Sequence, residues 1–408
     1  TITADETATT SDTGTVEATD ITALDAETSG VVVLAAGLND LTGTIAEVQA
    51  AFDANDAGTV SGLDDDETAT VSDTGTVAAL DITNLDAETS GVITLNAGIS
   101  TLTGTIVEVQ AAFDANTAGT VTGLDADEAV TTSDTTATAT SLNDLNTETT
   151  GVIDATSVDT IDGISSDIQT VIVADTNGEI SLSDSMTKLQ VTDDNNDLSG
   201  IDWSNIGVIG ELDFSGVGTS GIDQNLIDAF DTINGSGGSN TLTGSSGADT
   251  FSFSGTTLTS IEEVDMLAGD DTVTLDFSQV SDIGVLNGGA DTDTADIASG
   301  IDLTSASQSI ADGSFTSIEA IDLSGAITDG ANTFDITQSN IDAWTDLAGS
   351  GDIALTISST DNTNQNIKLV GTTDADGASA DAVTDRVDFV SGETYNWDVD
   401  TTITFTIV

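Results

Sequence analysis

Three aspartates in the second half of the chain have a spacing that suits metal binding. Asp249, Asp271 and Asp293 are each 22 residues apart, in stretches rich in glycine, serine and threonine. Carboxylate oxygens beside backbone and hydroxyl oxygens are the ligands that Ca2+ prefers in proteins. The spacing therefore predicts a calcium site, with one aspartate on each of three successive turns of the chain. Other acids of the same stretches complete the candidate ligands: Asp270, Asp291 and Asp296.

A second set of candidate metal ligands lies at recurring acidic junctions in the first half. A run of acids at 64–67 precedes an SDT motif at 72–74, and a similar run at 125–128 precedes SDT at 133–135. Acids this close in sequence repel one another unless a cation lies between them. The candidate ligands are Asp64, Asp66, Asp73, Asp125, Asp127 and Asp134. The alternative is a hydrated loop whose charges are screened by salt.

The composition removes the parts that most other chemistry needs. The chain has no Cys and no His, which leaves no disulfide, no thiol nucleophile and neither the usual zinc ligand nor the usual proton shuttle. Its only bases are Lys188, Lys368 and Arg386, so a nucleic acid would find no basic patch. Paired carboxylates can hydrolyse glycosides, but the three tryptophans that could stack on a sugar are far apart in sequence. We therefore expect a protein that is not an enzyme.

The net charge of −69, from 72 acids against 3 bases, is the main constraint on folding. Such a charge repels itself and is typical of disordered chains. Apolar residues nevertheless recur at regular intervals, which favours a folded protein. Bound cations would offset the repulsion, so we expect Ca2+ as the cofactor. The chain has no run of about 18 apolar residues, and we expect no transmembrane segment.

Residues 1–190 consist of three tandem repeats of about 61 residues. The repeated motifs are SDTGTV at 11–16 and 72–77, LTGT at 41–44 and 102–105, and EVQAAFDAN at 47–55 and 108–116, with a weaker third copy after 133. Each repeat is itself double, because LDA at 24–26 is echoed by FDA at 52–54. The six half-repeats have the length of one coil in a solenoid.

Each half-repeat contains the pattern of a short helix. Thr44 and Glu47 have the spacing of a capping box, and Ile45, Val48 and Phe52 then fall on one helical face. The copy 61 residues later repeats the arrangement.

A glycine and a short apolar run follow the other helical segment of each repeat. Gly30, Gly91 and Gly151 are predicted to occupy helix-ending turns with positive φ, which is easily reached only by glycine. The runs VVVL, VITL and VID after them predict buried strands. The predicted fold is a β-rich repeat protein with solenoid-like coils of strand and short helix.

Three further segments follow the repeats. Residues 191–239 predict a strand–helix transition, with a strand in VIGELDFSG and an amphipathic helix in GIDQNLIDAFDTING that ends at Gly235. Residues 240–300 hold the glycine–aspartate stretches, and residues 301–408 predict a C-terminal β-rich module. Its last residues, TTITFTIV, alternate as a half-buried strand does, which fits either an internal edge strand or a strand donated to a neighbour.

The glycine–aspartate stretches resemble the nonapeptide of RTX proteins, Gly-Gly-x-Gly-x-Asp-x-apolar-x. The matching residues are Gly244, Gly247, Asp249 and Phe251, then Gly269, Asp271 and Val273, then Gly288, Gly289 and Asp293, with Asp291 where the third glycine would stand. The resemblance implies calcium held between the coils of a parallel β-roll. The family's units follow one another every nine residues, whereas these are 22 apart, so we expect a degenerate version with one aspartate per coil of a β-helix.

The whole chain is also similar in texture to type I-secreted surface proteins, including S-layer proteins and giant marine bacterial surface proteins. This similarity implies export without a cleaved leader and folding outside the cell, where calcium is abundant. We expect an extracellular, cell-surface, self-assembling subunit of a filament or S-layer; the alternative is the stalk of a large calcium-dependent adhesin. The chain begins within a repeat, so expected partners are other copies, by strand addition through the termini, and cell-surface polysaccharide.

Overall fold

Parallel β-sheets, with short strands that alternate with helices, make up most of the fold. The computed structural model describes residues 5–64, 66–194, 196–214, 218–235, 239–302, 308–311, 314–323, 327–328, 334–337, 351–357, 367–370, 394–396 and 401–407. Among the described residues, none of the helices has the length and apolar character needed to cross a membrane.

The helices concentrate in the repeats of the first half. They are α1 (Ala18–Glu27), α2 (Ile45–Asp56), α3 (Ala79–Glu88), α4 (Ile106–Ala118), α5 (Ala139–Glu148), α6 (Ser165–Asn177), α7 (Gln224–Ala229) and α8 (Gln279–Asp282). Each of the six half-repeats contains one helix, as the sequence predicts.

Short strands precede and follow the helices of the first half. They are β1 (Ala8–Thr9), β2 (Gly14–Glu17), β3 (Val32–Val33), β4 (Leu38–Gly43), β5 (Val60–Ser61), β6 (Thr68–Val71), β7 (Gly75–Ala78), β8 (Ile93–Thr94), β9 (Ile99–Gly104), β10 (Val121–Thr122), β11 (Ala129–Thr132), β12 (Thr136–Thr138), β13 (Ile153–Ala155), β14 (Thr160–Gly163), β15 (Ile180–Leu182), β16 (Lys188–Val191) and β17 (Asn196–Asp197).

Strands dominate the second half. They are β18 (Ile209–Phe214), β19 (Gly218–Gly221), β20 (Phe230–Gly235), β21 (Asn240–Thr243), β22 (Thr250–Ser252), β23 (Thr257–Thr259), β24 (Ile261–Asp265), β25 (Thr272–Asp276), β26 (Ile283–Asn287), β27 (Thr294–Ser299), β28 (Ile301–Asp302), β29 (Gln308–Ser309), β30 (Phe315–Thr316), β31 (Ala320–Asp322), β32 (Ile327–Thr328), β33 (Phe334–Thr337), β34 (Gly351–Ile357), β35 (Ile367–Val370), β36 (Thr394–Asn396) and β37 (Thr401–Ile407).

The chain divides into two compact units. The first comprises Thr1–Ile161 and Thr170–Asp184, and the second comprises Asp162–Gln169 and Ser185–Val408.

Parallel sheets of the first unit place strands of successive half-repeats side by side. Their orders are β1-β3-β5, β2-β4-β6-β8-β10 and β7-β9-β11-β13-β15. In the second sheet Leu41 lies opposite Val16 on one side and Ala69 on the other, and Leu41 and Ala69 are fully buried. The core of the unit is therefore a stack of aligned apolar side chains, each supplied by a different half-repeat.

The predicted capping boxes are present at the N-termini of α2 and α4. The Thr44 hydroxyl accepts the Glu47 N–H at 3.3 Å, and the Glu47 carboxylate accepts the Thr44 N–H at 2.8 Å. The predicted face is also correct, because Ile45, Val48 and Phe52 are buried. These features are set by residues three or four positions apart, so local sequence is enough to predict them.

The prediction for the three repeat glycines is wrong in its reason. Gly30, Gly91 and Gly151 do not have positive φ. They are needed because a Cβ at position 91 would lie 2.2 Å from the carbonyl oxygen of Glu67, and the other two glycines meet an acidic junction in the same way. The glycines thus allow close packing on a segment that precedes them by more than 20 residues.

Two strand series and a long mixed sheet make up the second unit. The series are β16-β18-β20-β23 and β17-β19-β21-β24-β26-β30, and the long sheet has the order β22-β25-β27-β31-β34-β37-β36. Smaller groups pair β28 with β32 and order β29-β33-β35. The pairs are parallel except for β36 with β37. Much of the predicted module at 301–408 lies outside the described residues.

The helix predicted to end at Gly235 is only half correct. Asp223 caps α7, whose helical residues end at Ala229, and the chain continues as strand β20. Phe230 and Ile233 are buried and pair with strand β18. Pairing with a neighbouring strand overrides the local helical pattern, because burial of these side chains contributes more than helix propensity does.

The C-terminal strand is neither a sheet edge nor free for donation. Strand β37 lies between β34, with which it is parallel, and β36, with which it is antiparallel. Both of its edges are paired within the chain, so this terminus does not offer the predicted strand addition.

Candidate metal centres

The aspartates spaced by 22 residues stand one above another at the start of three paired strands. Asp249, Asp271 and Asp293 immediately precede β22, β25 and β27, which pair in register through Thr250, Thr272 and Thr294. Because parallel strands in register repeat the same position, the acids form a column along the sheet.

Hydrogen bonds join each acid of this column to the next. The N–H of Asp249 donates to the Asp271 carboxylate at 2.7 Å, and the N–H of Asp271 donates to Asp293 at 3.0 Å. The N–H of Asp293 donates to the carboxylate of Glu319 at 2.8 Å. We call Asp249, Asp271, Asp293 and Glu319 the carboxylate column.

Glu319 is a member of the column that the spacing rule does not find, because it follows Asp293 by 26 residues. The signal for it is the echo of TSIE at 259–262 and 316–319. In the first copy the carboxylate of Glu262 accepts the N–H of Asn240 at 2.7 Å, which is the same arrangement. The serine of each copy, Ser260 and Ser317, has positive φ.

The two middle aspartates of the column are almost completely buried. Asp271 and Asp293 are each 1% exposed. One oxygen of each carboxylate accepts a backbone N–H, while the Oδ2 atoms of both have no hydrogen-bond partner among the described residues. A buried carboxylate oxygen without a partner costs free energy. Asp249 differs, because it is partly exposed and accepts hydrogen bonds from Ser245.

Burial and mutual repulsion disfavour the charged form of these acids. Burial raises the pKa of Asp293 to about 7, and the charges of Asp271 and Glu319 act in the same direction. The pKa of Asp271 is also raised, first by burial and then by the charges of Asp249 and its neighbours. Two adjacent buried carboxylates therefore require either a proton or a cation at neutral pH.

The backbone leaves room for the column at its turns. A Cβ at Gly288 would lie 2.6 Å from the Asp293 carboxylate, so only glycine allows the carboxylate its position. Asp291, which stands where the RTX pattern has glycine, adopts a φ of 87°. The turn therefore keeps the left-handed conformation that glycine favours.

The remaining predicted ligands of this region fall into two places. Asp270 and Asp291 are exposed, and their charges contribute to the raised pKa of Asp271. Asp296 lies farther along β27, accepts a hydrogen bond from the Thr274 hydroxyl at 3.1 Å and pairs in register with Asp322. Burial, and then the Asp322 charge, raise the pKa of Asp296. The structure thus separates Asp296 from the column.

The first acidic junction brings three carboxylates together. Oxygens of Asp64, Asp66 and Glu67 lie within 4.8 Å of one another, whereas Asp65 lies outside the described residues. The Asp64 N–H donates to the Glu67 carboxylate at 2.7 Å. Glu67 is only 3% exposed, and its Oε2 has no partner among the described residues. Burial, and then the charges of Asp64 and Asp66, raise the pKa of Glu67.

The second junction repeats this geometry with Asp125, Asp127 and Glu128. The Asp125 N–H donates to the Glu128 carboxylate at 2.7 Å, and Glu128 is 2% exposed with an Oε2 that lacks a partner in the described chain. Burial and the charges of Asp127 and Asp125 raise the pKa of Glu128. Sequence reasoning places both glutamates in the acidic runs but does not single them out as the buried members.

Asp73 and Asp134 have another structural role. The carboxylate of Asp73 accepts the N–H of Ile45 at 2.7 Å, and that of Asp134 accepts the N–H of Ile106 at 2.7 Å. These N–H groups belong to the first residues of α2 and α4, where a negative charge is favourable. The acid follows the helix by 28 residues in both cases. Asp193 does the same for Ser165 at the start of α6.

Comparison with known proteins adds no relative, because no family model, curated protein or solved structure matches this chain significantly.

Proposed function

We propose that this protein is a non-enzymatic extracellular structural protein, a calcium-stabilised, self-assembling subunit of a bacterial surface filament or S-layer. The observation that carries the proposal is the carboxylate column, with two adjacent buried aspartates that each keep an oxygen without a partner. A soluble chain with a charge of −69 has little reason to bury like charges together unless something neutralises them.

The donor set fits a hard cation. Its oxygens come from carboxylates and backbone, and Ca2+ takes six to eight oxygen ligands at about 2.3–2.6 Å. Asp271 and Asp293 would hold the ion, with Asp249 at the accessible end of the column. The bound charge would convert the repulsion between these aspartates into attraction.

The pairing pattern supports a winding fold, which we also propose. Strand follows strand in register at separations close to the length of one half-repeat, as in a solenoid or β-helix. Strand β2 stands at one end of its sheet in the described chain, and a hollow beside it is lined by Val16, Ile21 and Leu24. This edge, not β37, is the place where a strand of another copy would add.

The calcium requirement is tested by thermal unfolding of the full chain in about 150 mM NaCl. We expect millimolar CaCl2 to raise the unfolding temperature by 10 °C or more, on the order of what saturation of several sites supplies. Metal-free protein with chelator and protein with MgCl2 are the controls, because Mg2+ demands a tighter octahedral geometry. Equal unfolding temperatures in calcium and chelator would refute the proposal.

Assembly is tested by electron microscopy of the same samples. Ordered sheets or long fibres that appear with calcium would support the subunit role. Isolated rods would instead support the stalk of a calcium-dependent adhesin.

A further inference from the structure

We propose that the two acidic junctions of the repeats each bind one divalent cation, with Glu67 and Glu128 as the central ligands, and that the third repeat lacks this site. The inference extends the proposed function, since it rests on cation binding by this chain, but it concerns different residues from the carboxylate column.

The geometry of the first junction suits a single ion. Oxygens of Asp64, Asp66 and Glu67 that lie within 4.8 Å of one another can all contact one cation, because two ligands at a Ca–O distance of about 2.4 Å stand at most about 4.8 Å apart. The Asp64 N–H already orients the Glu67 carboxylate through one oxygen. The second oxygen, Oε2, remains for the ion.

Burial makes this second oxygen informative. Acidic runs at a surface are ordinarily hydrated, but Glu67 and Glu128 are 3% and 2% exposed, and both Oε2 atoms lack a partner among the described residues. No basic side chain is on hand to neutralise them, because Lys188, whose side chain is described, bonds to Asp213. A buried anion with neither partner is unfavourable by several kcal/mol on the order of magnitude of ion desolvation.

The third repeat shows that the fold itself does not need a glutamate here. The junction sequences are LDDDE at 63–67, LDADE at 124–128 and LSDSM at 182–186. Met186 stands at the position of Glu67 and Glu128, and it is buried as well, at 1% exposure. The same repeat also has serine at the positions of Asp64 and Asp66. An apolar residue thus fills the position once the acids around it are gone, which is the expected result if the glutamate serves an ion.

The junction also supports the next half-repeat. The Thr89 hydroxyl donates to the Glu67 carbonyl at 2.7 Å, and Gly91 packs against the same carbonyl oxygen. Thr149 donates to the carbonyl of Glu128 at 2.6 Å in the second copy. An ion that orders residues 64–67 therefore stabilises the surface on which strand β8 begins, and it links cation binding to the stacking of repeats.

The test takes its substitutions from the protein's own third repeat. Glu67→Met and Glu128→Met, alone and together, are compared with the exposed-surface control Asp20→Asn and with the column variant Asp293→Asn. Tight Ca2+ sites are counted by isothermal titration and by Tb3+ luminescence in 150 mM NaCl with 2 mM MgCl2, conditions that we choose to suppress weak binding. We expect each single methionine variant to lose one site and the double variant to lose two, with no loss in Asp20→Asn.

Stability in chelator separates an ion ligand from a structural carboxylate. We expect Glu67→Met to unfold at the same or a higher temperature than the wild type in chelator, and at a lower temperature in calcium. Glu67→Gln, which keeps the acceptor for the Asp64 N–H, checks that loss of binding is not loss of folding, as judged by circular dichroism. An unchanged site count, or equal destabilisation with and without calcium, would overturn the inference.

The outcome for the junctions is distinguishable from that for the column. If Asp293→Asn loses a site but the methionine variants do not, the junction inference fails and the proposed function stands. If the wild type binds no calcium under these conditions, both fail.

Discussion

At the scale of single residues, neighbouring acids in this chain have opposite environments. Asp270 is exposed and Asp271 is buried, although they are adjacent in the sequence. The difference comes from strand geometry, since alternate side chains near the start of β25 point to opposite faces. The buried acid loses hydration and gains only one hydrogen bond per oxygen pair, so its charged form is penalised.

Replacement of Asp293 by asparagine is the direct test of this penalty. The amide oxygen can still accept the Asp271 N–H, while the buried charge is removed. We expect Asp293→Asn to stabilise the metal-free protein by about 1–3 kcal/mol and to lose most of the calcium-induced gain. Calorimetry in chelator and in calcium measures both effects, with Asp270→Asn as the exposed neighbour for comparison. A less stable metal-free Asp293→Asn protein would show that the charge itself supports the fold.

At the scale of elements, contacts between consecutive half-repeats hold the strands and helices in place. Asp73 caps helix α2 from the following half-repeat, and Gly91 allows the chain after α3 to pack on the first junction. These contacts explain how many short elements form stable structure, because isolated helices of 10–13 residues are marginal in water.

Two alanine substitutions separate packing from backbone strain. A Cβ at Gly91 would meet the Glu67 carbonyl oxygen at 2.2 Å, whereas Gly58 has positive φ and open space around it. We expect Gly91→Ala to destabilise the protein by about 3 kcal/mol or more and Gly58→Ala by about 1–2 kcal/mol. Chemical denaturation monitored by circular dichroism gives both values. Equal costs for the two variants would contradict the close contact at Gly91.

At the scale of the whole molecule, the charge of −69 makes folding depend on the solution. Protons and divalent cations act in the same direction, since each reduces repulsion among carboxylates. The acids with raised pKa values are those that the fold buries, so these groups set the response.

We predict that the metal-free protein becomes more stable as the pH falls from about 7.5 to about 5. The pKa of Asp293 is raised to about 7, so its folded form binds a proton more tightly than its unfolded form does. Its contribution to stability is therefore complete below the ordinary aspartate value near 4 and is lost as the pH rises through about 7. Glu67, Glu128 and Asp271 act in the same direction.

Thermal unfolding of cation-depleted protein at constant ionic strength measures this dependence. Saturating calcium should reduce the gain at low pH, because protons and ions compete for the same carboxylates. Stability of the metal-free protein that falls steadily as the pH drops from 7.5 to 5 would contradict the prediction.

Local pattern alone was sufficient for the features that depend on near neighbours. The capping box of Thr44 and Glu47, the apolar face of α2 and the 22-residue spacing of Asp249, Asp271 and Asp293 can all be found by counting along the chain. Each is a repeated interval, and parallel stacking turns a repeated interval into a repeated position.

Tertiary structure decided which side chains are buried and which partner each one meets. It placed Glu67 out of water beside exposed Asp64 and Asp66, added Glu319 to the column and made a strand of Phe230 and its followers. The partner in these cases comes from another coil, commonly 22 to 28 residues away. Hydration and pKa depend on that partner, and the local order of residues does not contain it.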